Sequence, residues 1–301
     1  MKADQRPRIA RIFFSPYEPR LRAFWRLTLH GGLILTFLLV LGIPLAMLAL
    51  FTNSGGTLFT SLEWSAIWGL LAILLATWIA RIKLDRRSMT SLGLQGSPQA
   101  WADIAVGFLI PALLLGLIFL LYRLLGWLTI DGYAWHAQNA PALLENLGVG
   151  LLMFIAVGFQ EELLSRGYHL QNLIEGINLP WGVFLSSAIF AGLHLANPHS
   201  GLLPLLGIFA AGLLFAFAWL RTRQLWLAIG LHIGWNFFEG TIYGFPVSGT
   251  PTSSLIRTSI TGPVVLNGGP FGPEGGLLIL PTIALGALLV WLYTRGRAQN
   301  V

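Results

Sequence analysis

Apolar residues dominate eight stretches of the chain, near residues 29–51, 64–80, 104–129, 146–174, 181–197, 203–220, 225–245 and 276–294. Each approaches the length that carries a helix across about 30 Å of hydrocarbon. The pattern predicts an all-α, polytopic transmembrane helix bundle of about eight spans. The first run is too long for the apolar core of a signal peptide, so it reads as an uncleaved anchor. Pro111 predicts a tilt or kink in the third. The 246–275 connector carries Pro246, Pro251, Pro263, Pro270 and Pro273 among many glycines and threonines, and cannot be one helix. The predicted organisation is a polar N-terminal segment (1–28), three spans (29–142), four central spans (143–245), the Pro/Gly-rich loop (246–275), and a last span with its tail (276–301). No internal repeat is evident.

Composition sharpens this. Of 301 residues, 55% are hydrophobic and 10% charged, against about 25% charged in an ordinary soluble domain. A soluble globule of this size could not cover its surface with so few charges, and disorder requires the opposite balance. The formal net charge of +6 would suggest nucleic acid in a soluble protein, but the positions of the charges argue against that. Seven of the 18 Lys and Arg precede residue 27, ahead of the first apolar run. Such a segment faces an anionic leaflet. With both termini in the cytoplasm, sixteen of the 18 basic residues lie on the cytoplasmic side, and only Arg123 and Arg257 lie outside. The long loop then faces outward. No cysteine is present, which excludes disulfides, zinc–thiolate sites and a thiol nucleophile.

Ionisable groups inside spans are costly and usually functional, and they gather in three places. The first is Glu161-Glu162 with Arg166 and Tyr168. Glu162 and Arg166 stand at i and i+4 in the favourable order for a helical ion pair, while Glu161 points about 100° away around the helix. One carboxylate is thus neutralised and the other left free. The second is His194, four residues after Phe190. The third is His232 with Asn236, one turn apart on one face, and Glu239 close to that face. A free carboxylate, two histidines and an amide can activate a water, with the carboxylate as general base and the others binding a metal or the oxyanion.

Glu161-Glu162-x3-Arg166, Phe190-x3-His194 and His232-x3-Asn236, in that order and each in an apolar run, resemble the three motifs of the CPBP intramembrane endopeptidases, the CAAX-protease and bacteriocin-processing (Abi) family. The resemblance covers roughly residues 143–245. It implies peptide-bond hydrolysis within the bilayer, with Glu161 the water-activating base, His194 its partner, His232 and Asn236 the oxyanion or ligand pair, and Glu162–Arg166 structural. Type II CAAX prenyl endopeptidases, in the same family, cut behind a prenylated cysteine, so the implied partners are the lipid bilayer and a membrane-associated or prenylated peptide. Glu161, His194 and His232 would also suffice for one zinc ion with an open position. The segment Gly269–Gly276 is similar to one in bacterial members, which points to a bacterial plasma membrane. Glu274, within it, reads first as a carboxylate at the start of the last helix; the alternative is that its loop folds back over the site. A proton- or ion-coupled transporter, or a catalytically silent immunity protein of the same fold, would use similar residues.

Overall fold

The computed structural model describes residues 7, 9–15, 18, 20–51 and 62–297. Lys2, Arg6 and Arg8 of the basic segment lie outside them. All eight predicted apolar segments are helical: α1 (Ala23–Phe51), α2 (Leu62–Ile79), α3 (Pro98–Leu124), α4 (Ala140–Glu162), α5 (Leu179–Leu193), α6 (Leu202–Thr222), α7 (Trp226–Asn236) and α8 (Ile279–Thr294). Helix α4 runs on through the π-helical Leu163–His169 into Leu170–Gly176, and α7 continues as the π-helical Phe237–Ile242. Five of these rods, α1, α2, α3, α6 and extended α4, are long and apolar enough to cross a membrane. Helices α5 and α8 are shorter, and α7 is enclosed by its neighbours, with every residue from Leu227 to Asn236 buried.

The helix starts are written locally. Ser97, Asn139 and Asn178 each accept the backbone N–H three residues on, at 3.1, 3.0 and 3.0 Å, and each is followed by a proline in the first two helical positions. That combination satisfies an orphan donor where proline costs nothing. The third apolar run stops short of its predicted end at 129. Leu124 closes α3, and Gly126 at φ +72° turns the chain left-handed, a conformation that favours glycine. Leu128–Tyr133 then forms β1, paired antiparallel with β2 (Ile256–Ile260) from Leu128↔Ile260 to Tyr133↔Ile256. This two-stranded sheet ties the long loop to the bundle.

Close approach of α7 to α3 depends on glycine. A Cβ on Gly230 or Gly234 would sit 2.4 or 2.3 Å from the carbonyl oxygens of Ile104 and Phe108. Gly230-x3-Gly234 therefore permits backbone contact of the kind small residues allow between membrane helices. Gly234→Val is expected to abolish the folded protein, read as loss of a monodisperse detergent-solubilised species; a well-behaved variant would contradict this packing.

The ends of the bundle differ sharply. At one end Arg26 pairs with Asp85 (2.7 Å) and Glu175 (3.1 Å), Arg81 with Asp85 (2.8 Å), and Arg297 with Asp103, while Arg221 bonds Thr294. The other end carries the sheet and the 246–275 loop.

Candidate active site

Glu161 and Glu162 close the regular part of α4 just before its π-helical turns. Such turns are rare and are frequent at functional sites. Glu162 and Arg166 are wholly buried and paired at 2.9 Å. The second amino group of Arg166 donates to the Gly212 carbonyl of α6 (2.9 Å), and its guanidinium lies 4.3 Å from the Phe190 ring centroid and 5.1 Å from that of Phe215. A planar cation is here held by a carboxylate, a carbonyl and two aromatic faces. Glu161 is turned away from Arg166 and keeps 26% of its side chain exposed, against 0% for Glu162. The two adjacent carboxylates thus occupy different environments.

Both histidines are anchored through Nδ1. His232 Nδ1 donates to Glu162 Oε1 at 2.9 Å, and the ring stacks on Phe215 at a centroid distance of 4.9 Å. His194, which caps the end of α5, donates from Nδ1 to the Phe190 carbonyl at 2.8 Å. Carbonyl and carboxylate oxygens accept, so the proton of each neutral ring is on Nδ1 and its lone pair on Nε2. Both Nε2 atoms lie 3.8 Å from Glu161 Oε2. That distance is too long for a direct hydrogen bond. Three acceptors therefore face one point with no donor among them, an arrangement that a water, which supplies two protons, completes. Asn236 also faces this cavity and makes no hydrogen bond to the protein among the described residues.

Glu161, His194 and His232, whose acceptor atoms face one point, are the residues that would hold the zinc that the sequence allows, and a zinc there would polarise a water or the peptide carbonyl.

The cavity has a volume of about 330 Å³. Glu161, His194, His232 and Asn236 line it, together with Glu274 and Ser248 of the long loop. Glu274 is not at the start of α8, which begins at Ile279 without a side-chain cap. A turn through Gly272 (φ +101°) and Pro273–Gly275 precedes that helix and aims the carboxylate inward instead. Its Oε2 accepts from the backbone N–H (3.0 Å) and the hydroxyl (2.6 Å) of Ser248, whose carbonyl accepts from Asn197 Nδ2 (3.1 Å). Burial pushes the Glu274 carboxyl up from its ordinary range, against the opposing pull of Ser248 and the two histidines. The loop is thereby fastened to the site by two hydrogen bonds to one carboxyl oxygen. Glu274→Ala is expected to free it, with a cost of about 1–3 kcal/mol per hydrogen-bonding group left unpaired and faster hydrogen exchange over 246–253. Unchanged exchange there would show that the fastening lies elsewhere.

Glu239 is not brought to the cavity. It falls in the wider π-helical turn after Asn236 and is wholly buried, with no geometrically formed hydrogen bond to either carboxylate oxygen among the described residues. Ser248, Asn197 and Phe215 were not singled out by the sequence. Each acts on a residue far along the chain, and no local spacing marks it.

Residues 143–238 match the family model described as Type II CAAX prenyl endopeptidase Rce1-like. This match supports the CPBP/CAAX protease reading of the central segment. The matched segment holds all three polar clusters, from Glu161 to Asn236, and the helices that carry them. Together with the long apolar helices it supports an integral, multi-pass membrane protein whose central segment is similar to CAAX-type intramembrane proteases. No match was found among curated proteins or among solved structures.

Proposed function

We propose that the protein is an intramembrane endopeptidase in which Glu161 activates a water for attack on a peptide carbonyl. The observation that carries this is the placement of Glu161 Oε2 at 3.8 Å from Nε2 of both His194 and His232, each ring fixed through its Nδ1. A water between these groups donates to Glu161 and to one imidazole and keeps a lone pair for the substrate. As its oxygen bonds to the carbonyl carbon, Glu161 takes the proton. The oxyanion receives the Asn236 amide N–H, which has no competing protein partner among the described residues. When the C–N bond breaks, the proton on Glu161 passes to the leaving nitrogen, giving one free amine and one new carboxyl group.

The cavity wall suits a membrane-associated substrate, with Phe190, Phe215 and Ile208 beside the polar groups. A lipidated or prenylated peptide is the substrate class proposed. The deciding experiment uses the purified protein in proteoliposomes with a membrane-anchored peptide. Wild type is expected to cleave it and to do so in the presence of 1,10-phenanthroline. Loss of cleavage restored by zinc would convert the histidines from water-binding groups to ligands, and solute flux without cleavage would make this a transporter. Asn236→Ala is expected to lower kcat by about 100- to 1,000-fold, the usual cost of one oxyanion donor, at an unchanged melting temperature. An equal fall in thermal stability would make Asn236 a packing residue.

A further inference from the structure

We infer that a cavity among the arginines at one end of the bundle is a binding site for an anionic phosphate group, such as a phospholipid headgroup carries. It holds about 750 Å³, against about 330 Å³ for the catalytic cavity, and shares no lining residue with it. Three separate segments build its wall. They are the chain leading into α1 (Arg20, Arg22), the turn after α2 (Arg87), and the end of the α4 extension (Glu175, Ile177). Binding there is independent of the proteolysis proposed above.

The charge of this cluster is unbalanced. Glu175 alone receives Arg20 (3.0 Å), Arg26 (3.1 Å) and Arg87 (2.5 Å). Glu18 pairs with Arg20 and lies 3.6 Å from Arg87, and Asp85 pairs with Arg26 and Arg81. Arg22 has no acidic partner among the described residues; its guanidinium donates to the Phe14 carbonyl at 3.3 Å. Five guanidiniums thus face three carboxylates, and like charges held this close together draw in an anion. Exposure divides their roles. Arg20 and Arg26 are 8% and 3% exposed and already engaged by carboxylates, so they form a fixed positive floor. Arg22 is exposed and Arg87 keeps 38% of its side chain accessible, so these two can turn N–H groups to a ligand. The guanidinium fork matches phosphate oxygens. Ala23, which opens α1, also lines the cavity and adds the positive end of that helix dipole.

The other side of the wall is apolar. Phe24, Leu27, Leu173 and Ile177 line it, with Phe24 67% and Ile177 54% exposed. A phospholipid matches both halves, with its phosphate on the arginines and its upper acyl chain against Phe24 and Ile177. Basic pockets between membrane helices take anionic headgroups in this way. A soluble phosphate would use the arginines alone.

The test titrates the full chain, purified in a non-ionic detergent, with dioleoylphosphatidylglycerol or dioleoylphosphatidylcholine, and counts bound lipid by native mass spectrometry, with inorganic phosphate as competitor. Wild type is expected to take up phosphatidylglycerol saturably and in preference to phosphatidylcholine. Arg22→Gln combined with Arg87→Gln is expected to weaken that binding by about tenfold or more, as loss of charge-assisted hydrogen bonds does. Arg22→Gln alone leaves every ion pair in place and removes one bond to a carbonyl, so it folds and is expected to weaken binding in the same direction. Arg295→Gln removes an exposed charge at the same end, next to the Thr294 that holds Arg221, but outside the cavity, and is expected to leave binding unchanged. Displacement of the lipid by inorganic phosphate would show that the phosphate group alone is held; binding that resists phosphate yet is lost in the cavity variants would show that the lipid is. Equal uptake of phosphatidylcholine would overturn the inference, as would undiminished binding by the cavity variants or an equal loss in Arg295→Gln.

Discussion

Glu161→Gln is expected to fold, bind substrate and turn almost nothing over. The substitution keeps the shape and one acceptor oxygen but removes the base. A general base ordinarily contributes about 100- to 10,000-fold, so residual activity should fall to about a hundredth of wild type or below. Stability should hold, because Glu161 makes no ion pair with Arg166 and its nearest charged or titratable neighbours are two imidazole nitrogens at 3.8 Å. Glu162→Gln is the necessary contrast. Glu162 Oε1 receives both Arg166 and His232 at 2.9 Å, so its loss should reduce melting temperature and turnover together, whereas Glu161→Gln separates them. The measurement is kcat in proteoliposomes beside thermal unfolding in detergent. If Glu161→Gln retained about a tenth of wild-type activity, far above what remains without a base, the water would be activated by another group and the mechanism would fail.

The chemistry that the sequence made legible is the chemistry of short range. Glu162 and Arg166 meet because residues four apart on a helix are neighbours, and the meeting survives the π-helical widening between them. The anchor of His194 is likewise local, the carbonyl of Phe190 four residues before it. Helix starts at Ser97, Asn139 and Asn178 follow from one side chain and one proline each. What the sequence did not disclose joins distant segments. The bond between His232 and Glu162 spans 70 residues, that between Ser248 and Glu274 spans 26, and β1 meets β2 across more than a hundred. Glu274 shows the cost of extrapolating: a carboxylate near an apolar run suggested a helix start, but two glycines and a tight turn separate it from α8 and leave it free to fasten the loop. Glu239 shows the same for helical phase, since a π-helical turn after Asn236 carries it off the face that His232 and Asn236 share. Periodicity predicts positions only while the helix keeps its pitch.

The largest loss of stability is expected from Arg166→Ala. The guanidinium is wholly buried and balances a wholly buried carboxylate, so removing it strands Glu162 with His232 as its one remaining hydrogen-bond partner. Breaking a buried pair from one side typically costs about 3–5 kcal/mol, because the charge left behind is uncompensated. The aromatic seats on Phe190 and Phe215 and the bond to the Gly212 carbonyl are lost as well. Removing both charges is a different experiment. Arg166→Met with Glu162→Gln fills similar volume and leaves no ion in the core, and replacement of buried pairs by neutral residues is often close to neutral. The double variant should therefore recover most of the melting temperature that Arg166→Ala loses. Turnover should not follow it. The introduced amide still offers His232 an oxygen, but not the negative charge that stabilises a proton on that ring while the reaction redistributes charge around Glu161. Recovered stability with depressed kcat would show that the pair holds the fold and the carboxylate tunes the histidine. Recovery of both would reduce Glu162 to a packing element, and recovery of neither would show that Arg166 supports α6 chiefly through Gly212 and its two aromatic neighbours.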